Sequence, residues 1–101
     1  MTASVKLYTD FTGRIRDASE QSCELLQIAS VRSALNRKLP LYFIENRHRV
    51  IEMMDAARRG LSKQVLTAVQ NGRTRLRVIV EAHRIRSGHQ EMLEWVVRRI
   101  D

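Results

Sequence analysis

The sequence is short of several things at once: it has one cysteine, one proline, four glycines and five aromatic residues in 101. A lone Cys23 makes no intramolecular disulfide, so packing alone must hold the fold. No apolar run approaches the roughly 18 residues that cross a bilayer, which argues against a membrane partner. The start, Met1-Thr2-Ala3-Ser4-Val5, lacks the basic flank and apolar stretch of a secretory signal, and the expected compartment is the cytoplasm. His48, His83, His89 and Cys23 lack the spacing of metal ligands, so no metal is expected. The glycines are scattered and form no phosphate-cradling loop, and no cofactor is implied. No zinc-finger spacing, aromatic RNA-binding strand or helix-turn-helix pattern is present. The length fits one domain over residues 1–101, with 1–4 expected as a loose terminus. At 44% hydrophobic the chain is foldable and not disordered.

Arginine is what the sequence has in excess. Fifteen Arg and three Lys face eleven acidic residues, a formal net charge of +7. A guanidinium forks onto phosphate or carboxylate and also stacks on flat groups. Basic surface of this kind attracts nucleic acid and other anions. The densest run is Arg73, Arg75 and Arg77, followed by Arg84 and Arg86. Two readings stand side by side: a solubilising basic surface, and an anion-binding face.

Val5-Lys6-Leu7-Tyr8-Thr9 alternates apolar and polar residues and reads as a strand, with a turn at Asp10-Phe11-Thr12-Gly13. From Asp17, capped with Glu20, a helix is expected to run to residues 36–38, ahead of Pro40. Its stripe would be Ala18, Leu25, Ile28, Ala29 and Leu35. Leu41-Tyr42-Phe43-Ile44 reads as a short buried strand. Asn46 is placed to cap a second helix through Arg59, with Val50, Ile51, Met54 and Ala57 inside and Gly60 as its stop.

Residues 61–80 fit two patterns. A helix would place Leu61, Val65, Leu66, Ala68 and Val69 on one stripe. A hairpin would turn at Asn71-Gly72, pairing Gln70 with Arg73, Val69 with Thr74 and Val65 with Val78. The β-branched run Val78-Ile79-Val80 favours the hairpin. Ser87 with Gln90 resembles a capping box for a last helix carrying Met92, Leu93, Trp95, Val96 and Ile100.

The resulting order is βαβαββα, the element order of the thioredoxin fold. Val5-Lys6-Leu7-Tyr8-Thr9 resembles the opening strand of glutaredoxins. Tyr8-Thr9-Asp10-Phe11-Thr12-Gly13 sits where their cysteine loop would follow. Ala68-Val69-Gln70-Asn71-Gly72 resembles the third thioredoxin strand and its turn, and Glu91-Met92-Leu93-Glu94-Trp95-Val96 the last helix. The chain thus resembles cysteine-less glutaredoxin-like or KaiB-type proteins. That resemblance implies an α/β, thioredoxin-like fold, with a mixed four-stranded sheet and flanking helices. The family's loop cysteine and its cis-proline segment are not matched, which argues against dithiol chemistry. The structural alternative is an all-α domain with helices near 10–37, 41–59, 62–71, 74–86 and 88–100.

The leading functional expectation is a non-catalytic protein-interaction or regulatory module. Its contact surface would join an edge strand bearing Arg73, Arg75 and Arg77, continuing to Arg84 and Arg86, with the 10–16 loop carrying Arg14 and Arg16. The expected partner is a protein, possible occupants being an acidic one or a second copy of the chain. The alternatives are a nucleic-acid-binding regulator using the same arginines and a redox protein using Cys23.

Overall fold

The computed structural model of the chain describes residues 4–100. Five strands and three α-helices follow one another as β1 (Ser4–Thr9), β2 (Ile15–Ala18), α1 (Glu20–Leu26), α2 (Val31–Ala34), α3 (Arg47–Ala57), β3 (Leu61–Gln70), β4 (Thr74–Ser87) and β5 (Gln90–Ile100). The strands form one sheet in the order β2-β1-β5-β4-β3, antiparallel at every junction. The helices and the segments that connect them between residues 27 and 46 cover one face of it. This overturns the mixed four-stranded thioredoxin-like sheet and the all-α alternative alike. Of the expected loose terminus, residues 1–3 lie outside the described residues, and Ser4 opens β1.

The expected strand at Val5–Thr9 forms as β1, and the turn after it closes on Asp10. Its carboxylate accepts from the Thr12 N–H, the Thr12 hydroxyl and the Arg14 N–H. Gly13 takes a φ of 91°, and a Cβ there would lie 3.0 Å from the Met54 methyl. The chain then returns as β2, where a long helix was expected from Asp17. Two serines explain the difference. Ser19 caps α1 by accepting from the Ser22 N–H, and Ser30 caps α2 in a reciprocal box with Ser33. Between them Gln27 turns left-handed at φ 60°, and the Ile28 N–H bonds back to the Cys23 carbonyl. That is the pattern of a Schellman stop, with apolar Ile28 buried behind it. The proposed stripe fails accordingly, because Leu35 is exposed.

The short strand expected at 41–44 is a pair of 3-10 turns, Leu39–Tyr42 and Ile44–Asn46. Pro40 fixes the first turn and supplies no N–H for a ladder. Phe43 is wholly buried between the turns, whereas Leu41 and Ile44 face solvent. The second expected helix forms as α3 and buries Val50, Met53, Met54 and Ala57, while Ile51 is exposed.

The Asn71-Gly72 hairpin also forms, with positive φ at both residues and the Arg73 N–H on the Gln70 carbonyl at 3.0 Å. Arg73 is an extra residue in the loop, however, so Gln70 pairs with Thr74 and Val69 with Arg75. A one-residue shift turns every side chain of a strand over. Leu66 and Ala68 of β3 therefore join Leu76, Val78, Val80 and Ala82 of β4 in the core, and Val65, Thr67 and Val69 face away. The last expected helix is a strand. Gly88, at φ 62°, makes a two-residue turn with His89 between Ser87 and Gln90. From there Leu93, Trp95 and Val97 alternate into the core. Trp95 lies at its centre, fully buried, and its indole N–H donates to the Thr9 hydroxyl at 2.9 Å.

Candidate functional site

The helix-free face of the sheet is built from alternate residues of β1, β5, β4 and β3. Strand registers place Lys6 beside Val96, Val96 beside Glu81 and Glu81 beside Lys63. One step along, Val65 sits beside Ile79 and Ile79 beside Arg98. Ile85 and Met92 form a further apolar pair. Leu61 and Val65 stand exposed here. A shallow depression of about 220 Å³ lies between Ser4, Lys63, Ile79, Glu81, Val96 and Arg98. The charges around it are partly matched across strands. Lys63 lies 3.3 Å from Glu81, and the Tyr8 hydroxyl donates to Glu94 at 3.0 Å. The bond to Glu94 holds the Tyr8 phenol above its ordinary range, with burial adding to it.

Neither sheet edge is the one expected. β4, the strand bearing the arginines, lies between β3 and β5 and has no free edge. The true edges, β2 and β3, are met by the chain itself. Along β2, the Ile15 N–H donates to the Arg37 carbonyl and the Asn36 N–H to the Ile15 carbonyl. Along β3, the Asn46 side-chain oxygen accepts from the Thr67 N–H at 2.7 Å. Asn46 was expected as a helix cap and makes no such cap bond. Pairing of a partner strand is blocked at these points.

The arginines do not form one ladder. Arg75 and Arg77 differ in parity from Arg84 and Arg86, so the two pairs leave β4 on opposite faces. Nine residues of strand put Arg75 about 30 Å from Arg84, at roughly 3.3 Å per residue. Arg73 is exposed in the β3–β4 loop. Arg75 is bound by Glu45, whose carboxyl that hydrogen bond holds below its usual range. Arg84 and Arg86 both reach Glu91, which the Arg84 bond holds low in the same way. Arg16 pairs with Asp10 at 3.2 Å, and Arg14 donates to the Asn36 carbonyl at 3.3 Å. Burial works against the Asp10 carboxylate, yet bonds from Thr12 and Arg14 and the Arg16 charge bring its pKa below the usual value.

The 10–16 turn does meet Arg84, through a residue the arginine pattern did not single out. Arg58 and Arg84 both stand over the Phe11 ring, 5.5 and 5.8 Å from its centroid. With Asp55 and Arg59 they line a cleft of about 400 Å³. The signal for it was an aromatic residue within a polar turn and a basic doublet directly ahead of Gly60. Cys23 is placed elsewhere, buried in α1. Burial and then Glu20 push its thiol pKa upward, the opposite of what a nucleophilic thiolate requires. Among the described residues no group of three or more His, Cys, Asp or Glu could hold a metal. No helix among them is long and apolar enough to cross a membrane.

No protein-family model matches the chain, and neither does any curated protein sequence. Solved structures do match. The chain is similar to the PAS domain of a protein from Colwellia psychrerythraea, with a TM-score of 0.77 at 16% identity, over 96% of this chain and 86% of that one. The PAS domain of nitrogen regulation protein NR(II) from Vibrio parahaemolyticus gives 0.69 at 20% identity, over 96% and 89%. A Vibrio cholerae VqmA dimer structure, described in terms of DNA binding by LuxR-type receptors, gives 0.81 at 9% identity. That match covers 98% of this chain and 47% of VqmA. The expected thioredoxin-like, KaiB-type kinship is therefore replaced: the chain has the five-stranded antiparallel fold of PAS domains.

Proposed function

We propose that the chain is a non-catalytic regulatory module that binds protein through the open face of its sheet, and that the occupant is a second copy of the chain. The observation that carries this reading is the mixture on that face. Val65, Ile79 and Val96 form an apolar centre, and Lys63, Glu81 and Arg98 surround it with both signs of charge. A two-fold interface must be complementary to itself, which a rim of both signs satisfies and a rim of one sign does not. The fold supports the reading by kinship, since PAS domains occur in a regulatory protein such as NR(II) and VqmA is a dimer.

The nucleic-acid alternative draws on the net charge and on the likeness to VqmA. The carboxylates already on Arg16 and Arg75, and the placement of Arg75 and Arg84 on opposite faces of the sheet, weigh against it. Light scattering across a concentration series tests the proposal. The wild-type chain is expected to self-associate, and Ile79→Arg to stay monomeric with an unchanged circular dichroism spectrum. A wild-type chain that is monomeric throughout overturns the dimer reading.

A further inference from the structure

We propose that the Phe11–Arg58–Arg59–Arg84 cleft binds a small oxyanion, the phosphate or carboxylate group of a soluble ligand. It lies at the junction of the 10–13 turn, the end of α3 and β4, and so draws on three separate parts of the sequence. Three guanidinium groups line it against one carboxylate, and that carboxylate, Asp55, is already paired with Arg59 at 3.1 Å. Arg58 makes no salt bridge and donates no side-chain hydrogen bond among the described residues. A guanidinium carries five donors in a fixed fork that matches an oxyanion.

The donors are held in advance. Phe11 fixes the two guanidinium groups over one ring. Arg84 is tied further, its backbone N–H to the Gly60 carbonyl at 3.2 Å and its Nη1 to the Arg58 carbonyl at 3.1 Å. Groups already ordered lose little entropy when a ligand arrives. The volume of about 400 Å³ suits a ligand of several heavy atoms. Glu91, which holds Arg84 Nη2 from outside the cleft lining, competes with the ligand for that arginine.

The test is an NMR titration of amide shifts in the full chain, with inorganic phosphate, succinate and chloride compared at fixed ionic strength. Saturable shifts centred on Phe11, Arg58, Gly60 and Arg84 are expected with phosphate, succinate or both. Saturation by phosphate alone assigns a phosphate ligand, and saturation by succinate alone a carboxylate ligand. Arg58→Ala should weaken binding about tenfold, the effect of losing one charged hydrogen bond. Glu91→Gln should strengthen binding, because it releases Arg84. Arg58 is an exposed helix-end residue, so its variant should fold even where Arg84→Gln does not. Shifts that chloride reproduces, shifts that never saturate, or a folded Arg58→Ala chain that binds as tightly as wild type would each overturn the proposal.

Discussion

The two faces of the sheet are made from the same strands and have opposite fates. On the covered face, Leu7, Leu66, Val78, Val80, Leu93, Trp95 and Val97 are all at most 1% exposed. On the open face, Val65 keeps 40% of its surface and Leu61 60%, and Ile79, Val96 and Ile100 are only half-buried. Both faces carry apolar residues. The difference is that the helices and the two 3-10 turns settle on one face only. Alternation therefore does not by itself say which face is the core. The extra residue Arg73 decides that for β3, by setting which of its two side-chain rows meets the core row of β4.

The contrast is sharpest in paired truncations. Trp95→Ala should destabilise the fold by about 3–5 kcal/mol, the range for a large aromatic removed from a packed core. Val65→Ala, on the open face, should cost well under about 1 kcal/mol, because its side chain is partly in water already. Urea denaturation of the two variants measures both. Equal losses would mean that the open face is as packed as the core, and would break the comparison.

A finer cut stays on the covered face. Thr9 is wholly buried, and its hydroxyl is the acceptor for the Trp95 indole. Thr9→Val keeps the shape and removes the acceptor, leaving a buried N–H without a partner. The cost should be about 1–3 kcal/mol by the same denaturation assay. Thr9→Ser, which keeps the oxygen, should recover part of that loss.

The open face also explains what the sequence concealed. Strand β1, helix α3 with its Gly60 stop and the Asn71-Gly72 turn were all legible, because each carries a local signal: alternation, a 3.6-residue stripe, a turn dipeptide. β5 was not. Leu93, Trp95 and Val97 follow the period of a strand, but Met92, Val96 and Ile100 on the other face add apolar residues that complete a helical stripe. Val96, proposed to help bind a second chain, is thus among the residues that disguised the strand. The long helix expected from Asp17 failed for a related reason: two capping serines outweigh a stripe whose last member, Leu35, never reaches the core. Of the Phe11 cleft, the 10–16 turn and Arg84 were already singled out in the sequence. That they meet through Phe11, and that Arg75 lies far off on the other face, follows from sheet order and register, which depend on long-range pairing.

The smallest expected effect tests whether the polar part of the open face contributes to stability at all. The Tyr8 phenol donates to Glu94 across the β1–β5 pair, and that bond raises its folded pKa above the ordinary value near 10. The sign follows from linkage. A raised pKa means that the folded state holds the proton more tightly than the unfolded one. The stabilisation is therefore complete below the ordinary tyrosine pKa and is lost as pH rises through the folded value. Wild-type stability should fall on the alkaline side of that range more steeply than stability of Tyr8→Phe, which has no proton to lose. Below it, the two chains should show parallel pH profiles, offset only by the missing hydrogen bond. Denaturation midpoints from pH 8 to 11 make the comparison. Coincident alkaline slopes would show that the open-face pair is held too loosely to favour the fold, leaving the covered face as the source of stability.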